Sequence, residues 1–267
     1  MYPRKKCPKP WDGYIEPFKI IDSVYYVGVY QVCTHLIDTG DGLFLIDAGY
    51  SNCLYMVIDS IHRLGFDPRD IRYIFSTHRH TDHTEANAAM ARLTGAKVMI
   101  GEKDAFEDGI YRADILLRDG DTFKMGDKVF EFMHTPGHTR GTMSVFFNAT
   151  ENGKTYRVGT FGGAGANTLT RSTASYYPGC IEDYLHSLDR LEKEHVDVFI
   201  GNHVWNNNCD MIAEENRKTG GNGFINDKAF GEFIAFCRER CLKTVEKDNA
   251  ADANPSFRKQ VFLSDLT

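Results

Sequence analysis

Apolar residues along this chain fall in short runs divided by turn-forming and charged positions, and the period of those runs changes from segment to segment. Residues 25–30, 35–39 and 43–47 predict strands, and 51–64 follows with helical spacing. Ile71–Ser76 is a mainly apolar segment that reads as a buried strand. Residues 84–93 are alanine-rich and predict a helix; Asp82 with Glu85 three positions on has capping-box spacing, so Asp82 is the expected cap. Lys97–Gly101 predicts another strand, and Gly120-Asp121 and Gly126-Asp127 mark turns before 130–133, which alternates apolar and polar. The second half repeats the theme with strands at 142–147 and 156–161, a helix at 181–194, a strand at 196–200 and a closing helix over roughly 227–247. Strands alternating with helices predict an α/β (α+β) fold, and 267 residues suit one domain over 1–267, with 1–13 as a loose N-terminal extension.

Composition narrows the function classes. With 42% hydrophobic and 25% charged residues the chain is ordinary globular material. A net charge of −6 offers no basic face for a phosphate backbone, so no nucleic-acid partner is expected. No apolar run reaches the roughly twenty residues of a membrane span. Arg4, Lys5 and Lys6 have no apolar stretch behind them, so no secretory signal is expected and the cytoplasm is the expected compartment. The seven cysteines include no C-x-x-C pair and fit reduced thiols, with a link from Cys209 to Cys237 or Cys241 left open. The expected partner is a small-molecule substrate, and the residues leave the oligomeric state open.

The chemistry concentrates in one place. Thr77-His78-Arg79-His80-Thr81-Asp82-His83-Thr84 sets three imidazoles and a carboxylate directly after the Ile71–Ser76 strand. These are ligand types that zinc prefers, and four in six positions exceed what one zinc with an open coordination position takes from a single loop, so two metals are implied. Without a metal or hydrogen bonds such a cluster gains little, because neighbouring imidazoles disfavour each other's charged form. His138 sits in the turn Thr135-Pro136-Gly137-His138-Thr139 after the 130–133 strand, and His203 follows the 196–200 strand through Gly201-Asn202. Three strands ending in histidines suggest a site assembled along one edge of a sheet. His35, His62, His134, His186 and His195 read as ordinary structural or surface histidines.

On these residues the chain resembles the metallo-β-lactamase superfamily, whose signature is H-x-H-x-D-H with a later histidine after a strand and another near the end. The likeness extends in order through Val24-Tyr25-Tyr26-Val27-Gly28, His35-Leu36-Ile37-Asp38-Thr39, Gly42-Leu43-Phe44-Leu45-Ile46-Asp47-Ala48-Gly49, Thr135-Pro136-Gly137-His138-Thr139-Arg140-Gly141 and Tyr177-Pro178-Gly179 with Asp183-Tyr184. The resemblance is nearest to the dizinc lactamase subclass whose second metal is held by Asp, His and His. It implies an αββα sandwich, two zinc ions per chain, a first zinc on His78, His80 and His138, and a second on Asp82, His83 and His203.

Two departures limit the analogy. Glyoxalase II and the acyl-homoserine lactonases of this superfamily carry a metal-bridging aspartate after the strand that follows the third ligand; here 156–161 runs into Gly162-Gly163-Ala164-Gly165-Ala166-Asn167, with neither that carboxylate nor a cysteine. The same stretch lacks the serines with which several dizinc lactamases hold the substrate carboxylate, leaving Asn167, Thr168 or Thr170 as substitutes. Asn167, Thr168 and Trp205 are the foremost candidate substrate contacts, with Asn206, Asn207, Asn208, Tyr176 and Tyr177 beside them.

The expected function is a zinc-dependent hydrolase in which a metal-bridging hydroxide attacks a carbonyl, with β-lactam amides the best-specified substrate. Asp82 is the expected catalytic residue, orienting the water, and Asp47 is expected to fix a ligand or nearby loop from behind. The alternative is hydrolysis of a lactone or small ester. An iron-dependent oxidoreductase is less favoured, since such members carry acidic residues where His80 and His83 stand and a flavin module that this chain lacks; a non-catalytic metal-binding protein is disfavoured by the full ligand set.

Overall fold

The structure, a computed structural model, describes residues 6–105 and 112–253. In chain order it forms β1 (Phe18–Ile21), β2 (Val24–Tyr26), β3 (His35–Asp38), β4 (Leu43–Ile46), α1 (Leu54–Arg63), β5 (Ile71–Ser76), α2 (Thr81–Thr84), α3 (Asn87–Thr94), β6 (Lys97–Gly101), β7 (Ile115–Leu117), β8 (Thr122–Met125), β9 (Lys128–His134), β10 (Met143–Glu151), β11 (Lys154–Thr160), α4 (Cys180–Leu191), β12 (Val198–Phe199), α5 (Val204–Asn207), α6 (Cys209–Thr219) and α7 (Ala229–Ala253). Among the described residues, seven strands make one sheet in the order β1 to β7, and five make a second in the order β12-β11-β10-β9-β8. Pairing in the first sheet is antiparallel through β4 and parallel from β4 to β7; in the second only β11 and β12 are parallel.

Central strands such as β4 and the first half of β10 are apolar on both faces because each sheet is covered twice. Along β4, Phe44 and Ile46 face the other sheet while Leu43 and Leu45 face Val57 and Ile61 of α1. Along β10, Val145 and Phe147 point inward and Phe146 points to Phe230 of α7. The sheets meet through aromatic contacts: Phe44 stacks on Phe130 with ring centres 4.0 Å apart, and Phe75 lies 5.0 Å from Phe132. Period-two alternation therefore sorts residues between an inter-sheet core and two helix-covered outer layers, which is the expected αββα sandwich.

Several expected boundaries change. The 25–30 strand stops at Tyr26, because Val29 and Val32 close a tight turn. The 84–93 helix is divided into α2 and α3, and its expected cap is corrected: His80, with extended backbone, precedes α2, so Asp82 lies inside the first turn instead of capping it. Of the 1–13 segment, residues 1–5 lie outside the described residues, whereas Pro10–Gly13 forms a 3-10 turn whose Gly13 carbonyl accepts from Tyr30 N. Cys209 lies against Cys33 and forms no link to Cys237 or Cys241; these four thiols are buried. Among the described residues no helix is long and apolar enough to cross a membrane.

Candidate metal centre

The histidine-bearing strand ends come from both sheets, not from one. β5 delivers His78, His80, Asp82 and His83; the β9–β10 turn delivers His138; the segment after β12 delivers His203. Met143 N donates to Thr77 O at 2.8 Å and joins the two sheet edges beside the site. Gly137 (φ +129°) allows the turn that carries His138 to press on α4, where an added Cβ would lie 2.4 Å from Tyr184 Cβ.

Six side chains converge as two triplets, His78, His80 and His138, and Asp82, His83 and His203; within each, one ligand atom per residue lies within 4.8 Å of the others. The triplets adjoin, with the His78 and His83 rings 4.2 Å apart. Each imidazole is held from outside by one nitrogen, leaving the other for the centre. His78 Nδ1 bonds Thr77 Oγ1 (3.1 Å), His80 Nε2 bonds Ser175 Oγ (2.7 Å) and His138 Nδ1 donates to Gly165 O (2.6 Å). His83 Nδ1 donates to Asp47 Oδ2 (2.7 Å), and His203 Nδ1 to Gln31 O (2.7 Å). His80 is thus turned opposite to the others, with Nδ1 inward.

Asp47 supports one member of each triplet. Its residue adopts φ +56° just after β4, a conformation that aspartate tolerates better than most side chains. The buried carboxylate accepts from Thr77 N (2.8 Å), Thr77 Oγ1 (2.9 Å) and His83 Nδ1. Because the Thr77 hydroxyl spends its proton on Asp47, His78 Nδ1–H is the donor in the Thr77–His78 bond. Asp104, fully buried and not singled out by the sequence, accepts from Arg79 N, Thr139 Oγ1 and Gly141 N, tying the His80 loop to the His138 turn.

The electrostatics fit cations. His78 Nε2 is buried with no hydrogen-bond partner, an arrangement that costs free energy unless a ligand takes its lone pair, and His83 Nε2 is buried with the Asp82 carboxylate 3.4 Å away. Burial and neighbouring imidazoles hold His78 well below the ordinary histidine range and bring His138 down to about 3, so both are neutral donors. Burial opposes charge on His83 as well, but Asp47 and Asp82 outweigh it and push its pKa up to about 10. Burial would raise the Asp82 pKa, yet His83, His203 and His80 hold it far below the carboxylate range. The second triplet therefore favours positive charge between Asp82 and its imidazoles, and the donor set of five imidazoles and one carboxylate suits two borderline-soft dications.

A cleft of about 880 Å3 opens over both triplets. Asn167 and Trp205 line it; Trp205 stacks on His203 with ring centres 4.5 Å apart. The expected substrate contact at Thr168 is corrected: this residue is buried, and its hydroxyl bonds His138 Nδ1 (3.0 Å) because the 3-10 turn at Ala166–Leu169 points it inward. Asn207 and Asn208 serve the backbone, one bonding Phe199 O and the other adopting a left-handed turn between α5 and α6. Tyr176 and Tyr177 line a neighbouring depression with Arg79 and Arg140. Tyr50, Phe233, Phe236 and Arg240 line the cleft without having been singled out by the sequence, since α1's approach and α7 reach the site only in the fold. Burial and the charge of Asp82 raise the Tyr50 pKa, so its hydroxyl stays a donor.

Comparison with known proteins agrees with this geometry. A family model described as the metallo-beta-lactamase superfamily matches residues 27–203. The chain is similar to the crystal structure of BJP-1, a subclass B3 metallo-beta-lactamase of Bradyrhizobium japonicum, with a TM-score of 0.84, 28% identity, and coverage of 91% of this chain and 98% of that one. It is also similar to LRA-12, a class B3 di-zinc metallo-beta-lactamase from an Alaskan soil metagenome, with a TM-score of 0.77, 26% identity, and coverage of 90% and 98%. A hydroxyacylglutathione hydrolase of Rhizobium etli is 38% identical over 77 residues, which is 29% of this chain and 29% of that protein.

Proposed function

The chain belongs to the metallo-beta-lactamase superfamily of hydrolases, and from that premise we propose that it is a dinuclear zinc hydrolase acting on a cyclic amide, with β-lactams as its substrates. The observation that carries this reading is the pair of adjoining triplets with inward-facing donor atoms. His78, His80 and His138 would hold the first zinc, and Asp82, His83 and His203 the second. When bound, such ions supply hydroxide near neutral pH and polarise a carbonyl.

The chain's own groups do the rest. Asp82 stays ionised and partly exposed, so an oxygen not engaged with an imidazole can accept a hydrogen bond from the attacking water and orient it. Tyr50 supplies an O–H donor in the cleft wall. Trp205, Phe233 and Phe236 in the cleft lining offer an apolar surface that displaces water from a bound substrate.

The residues after β11 favour a lactam over a thioester or lactone. A Cβ at Gly162 would lie 1.9 Å from Met143 O, and one at Gly163 would lie 2.8 Å from Thr142 Cγ2 and 2.9 Å from His138 Cβ, so a bridging carboxylate has no seat there. Likeness to B3 lactamases over nine-tenths of the chain supports the same choice. The partial match to hydroxyacylglutathione hydrolases supports thioester hydrolysis as a second reading. Nitrocefin turnover by zinc-loaded protein, abolished in H80A and by chelation, is the expected result. If nitrocefin is inert while a hydroxyacylglutathione thioester is hydrolysed, the lactam reading falls and the second takes its place.

A further inference from the structure

The cleft carries a recognition device that the ligand motif does not announce. Among the described residues that line it, Asp82 and Arg240 are the formally charged ones, and Asp82 is committed to imidazoles. Arg240 has no carboxylate within ion-pair distance among the described residues; its guanidinium carbon lies 5.7 Å from the Phe236 ring centre. Arg238 is paired to Asp189 and Glu192 and Lys243 to Glu239, and Arg240 is the α7 cation that lines the cleft.

Glu232, Phe236 and Arg240 stand four residues apart in succession and so share one face of α7, spanning about 12 Å along its axis. Phe236 and Arg240 line the cleft over the triplets. Phe236 and Glu232 line an adjoining groove of about 380 Å3 that shares Trp205, Asn206 and Phe233 with the cleft. One continuous trough therefore runs from the cation at the site, past an aromatic wall, to an anion at its far end.

Resting on the hydrolase reading above, we propose that Arg240 anchors an anionic substituent of the substrate, and that Trp205, Phe233 and Phe236 wall an apolar body beside it. The substrate class is then a hydrolysable carbonyl compound bearing a carboxylate and a bulky apolar group. Its carboxylate lies at the Arg240 end of the trough, because Glu232 repels it from the other. A guanidinium donating to a carboxylate in a partly desolvated wall makes a charge-assisted contact that a neutral analogue does not reproduce. Trp205 lies in the wall and reports occupancy by its fluorescence.

The test titrates zinc-loaded wild type, R240Q, R240K and E232Q with 3-phenylpropanoate and its neutral amide, following tryptophan emission, and measures kcat/KM for a substrate pair differing only as carboxylate and carboxamide. The carboxylate-over-amide preference is expected to fall about 10- to 100-fold in R240Q, to fall less in R240K, and to persist in E232Q. An unchanged preference in R240Q, or equal weakening of both members of each pair, overturns the subsite. Loss of the binding preference in R240Q with nitrocefin inert retains the subsite and removes only the lactam reading.

Discussion

Asp47→Asn is the sharpest perturbation of the centre, because it changes one buried carboxylate that touches no substrate yet orients a member of each triplet. In the wild type, Oδ1 accepts from Thr77 N at 2.8 Å, while Oδ2 accepts from Thr77 Oγ1 at 2.9 Å and His83 Nδ1 at 2.7 Å. An amide supplies one acceptor where two are needed. With its oxygen toward Thr77 N, its NH2 meets the His83 N–H; flipped, it meets the Thr77 N–H. Either orientation leaves a buried donor facing a donor, at a cost of about 1–3 kcal/mol. Asparagine tolerates the φ of +56° at this position, so backbone strain does not confound the result. Loss of the anion also removes the attraction that favours positive charge on or beside His83. Since His78 is oriented through Thr77 and His83 directly, zinc affinity should fall about 10- to 100-fold at both sites. Urea unfolding with chelator present reads the first effect, and competition with a chromogenic chelator reads the second. A variant with wild-type midpoint and two tightly held ions would refute the assignment of Asp47 as the common support.

S175A removes the 2.7 Å partner of His80 Nε2 and should lower first-site affinity about tenfold while leaving the midpoint of chelator-treated protein nearly unchanged; equal loss at both sites would count against it. G137A places a methyl 2.4 Å from Tyr184 Cβ at a φ of +129°, so a destabilisation of at least about 2 kcal/mol and weakened first-site binding are expected from denaturation and metal titration. His35 is buried on β3 with Nε2–H donating to Gly201 O, and burial takes its pKa down to about 4. The folded value lies below the unfolded one of about 6.5, so its contribution is complete above pH 6.5 and is lost as pH falls toward 4, by about 3 kcal/mol. H35Q, compared with wild type by urea unfolding in chelator at pH 7 and pH 4.5, should lose less stability over that interval.

Four of the ligand residues are legible because metal chemistry is compressed into local sequence: His78, His80, Asp82 and His83 fall within six positions directly after the mainly apolar β5. The Thr135-Pro136-Gly137 turn is legible for a related reason, since proline and a positive-φ glycine announce a change of direction before His138. The supports of those ligands are not local. Ser175 reaches His80 across 95 residues, Gln31 reaches His203 across 172, and Asp104 joins two loops that meet only when the sheets stack. The short strands β1 and β7 escape notice because three or four residues carry too little periodicity, and their pairing is decided by a neighbouring edge. Asp82 shows how a local rule is overridden: its capping spacing with Glu85 is sound, but His80 begins the helix earlier, and the carboxylate gains more from two imidazoles than from one backbone amide. Arg240 is hidden in a different way. On α7 it is one charge among several, and only the packing of the helix over the site shows that it is the one lining the cleft. Four of the six ligands are thus written in one short run of sequence, whereas His138, His203 and the α7 residues proposed to select the substrate reach the site only through the fold.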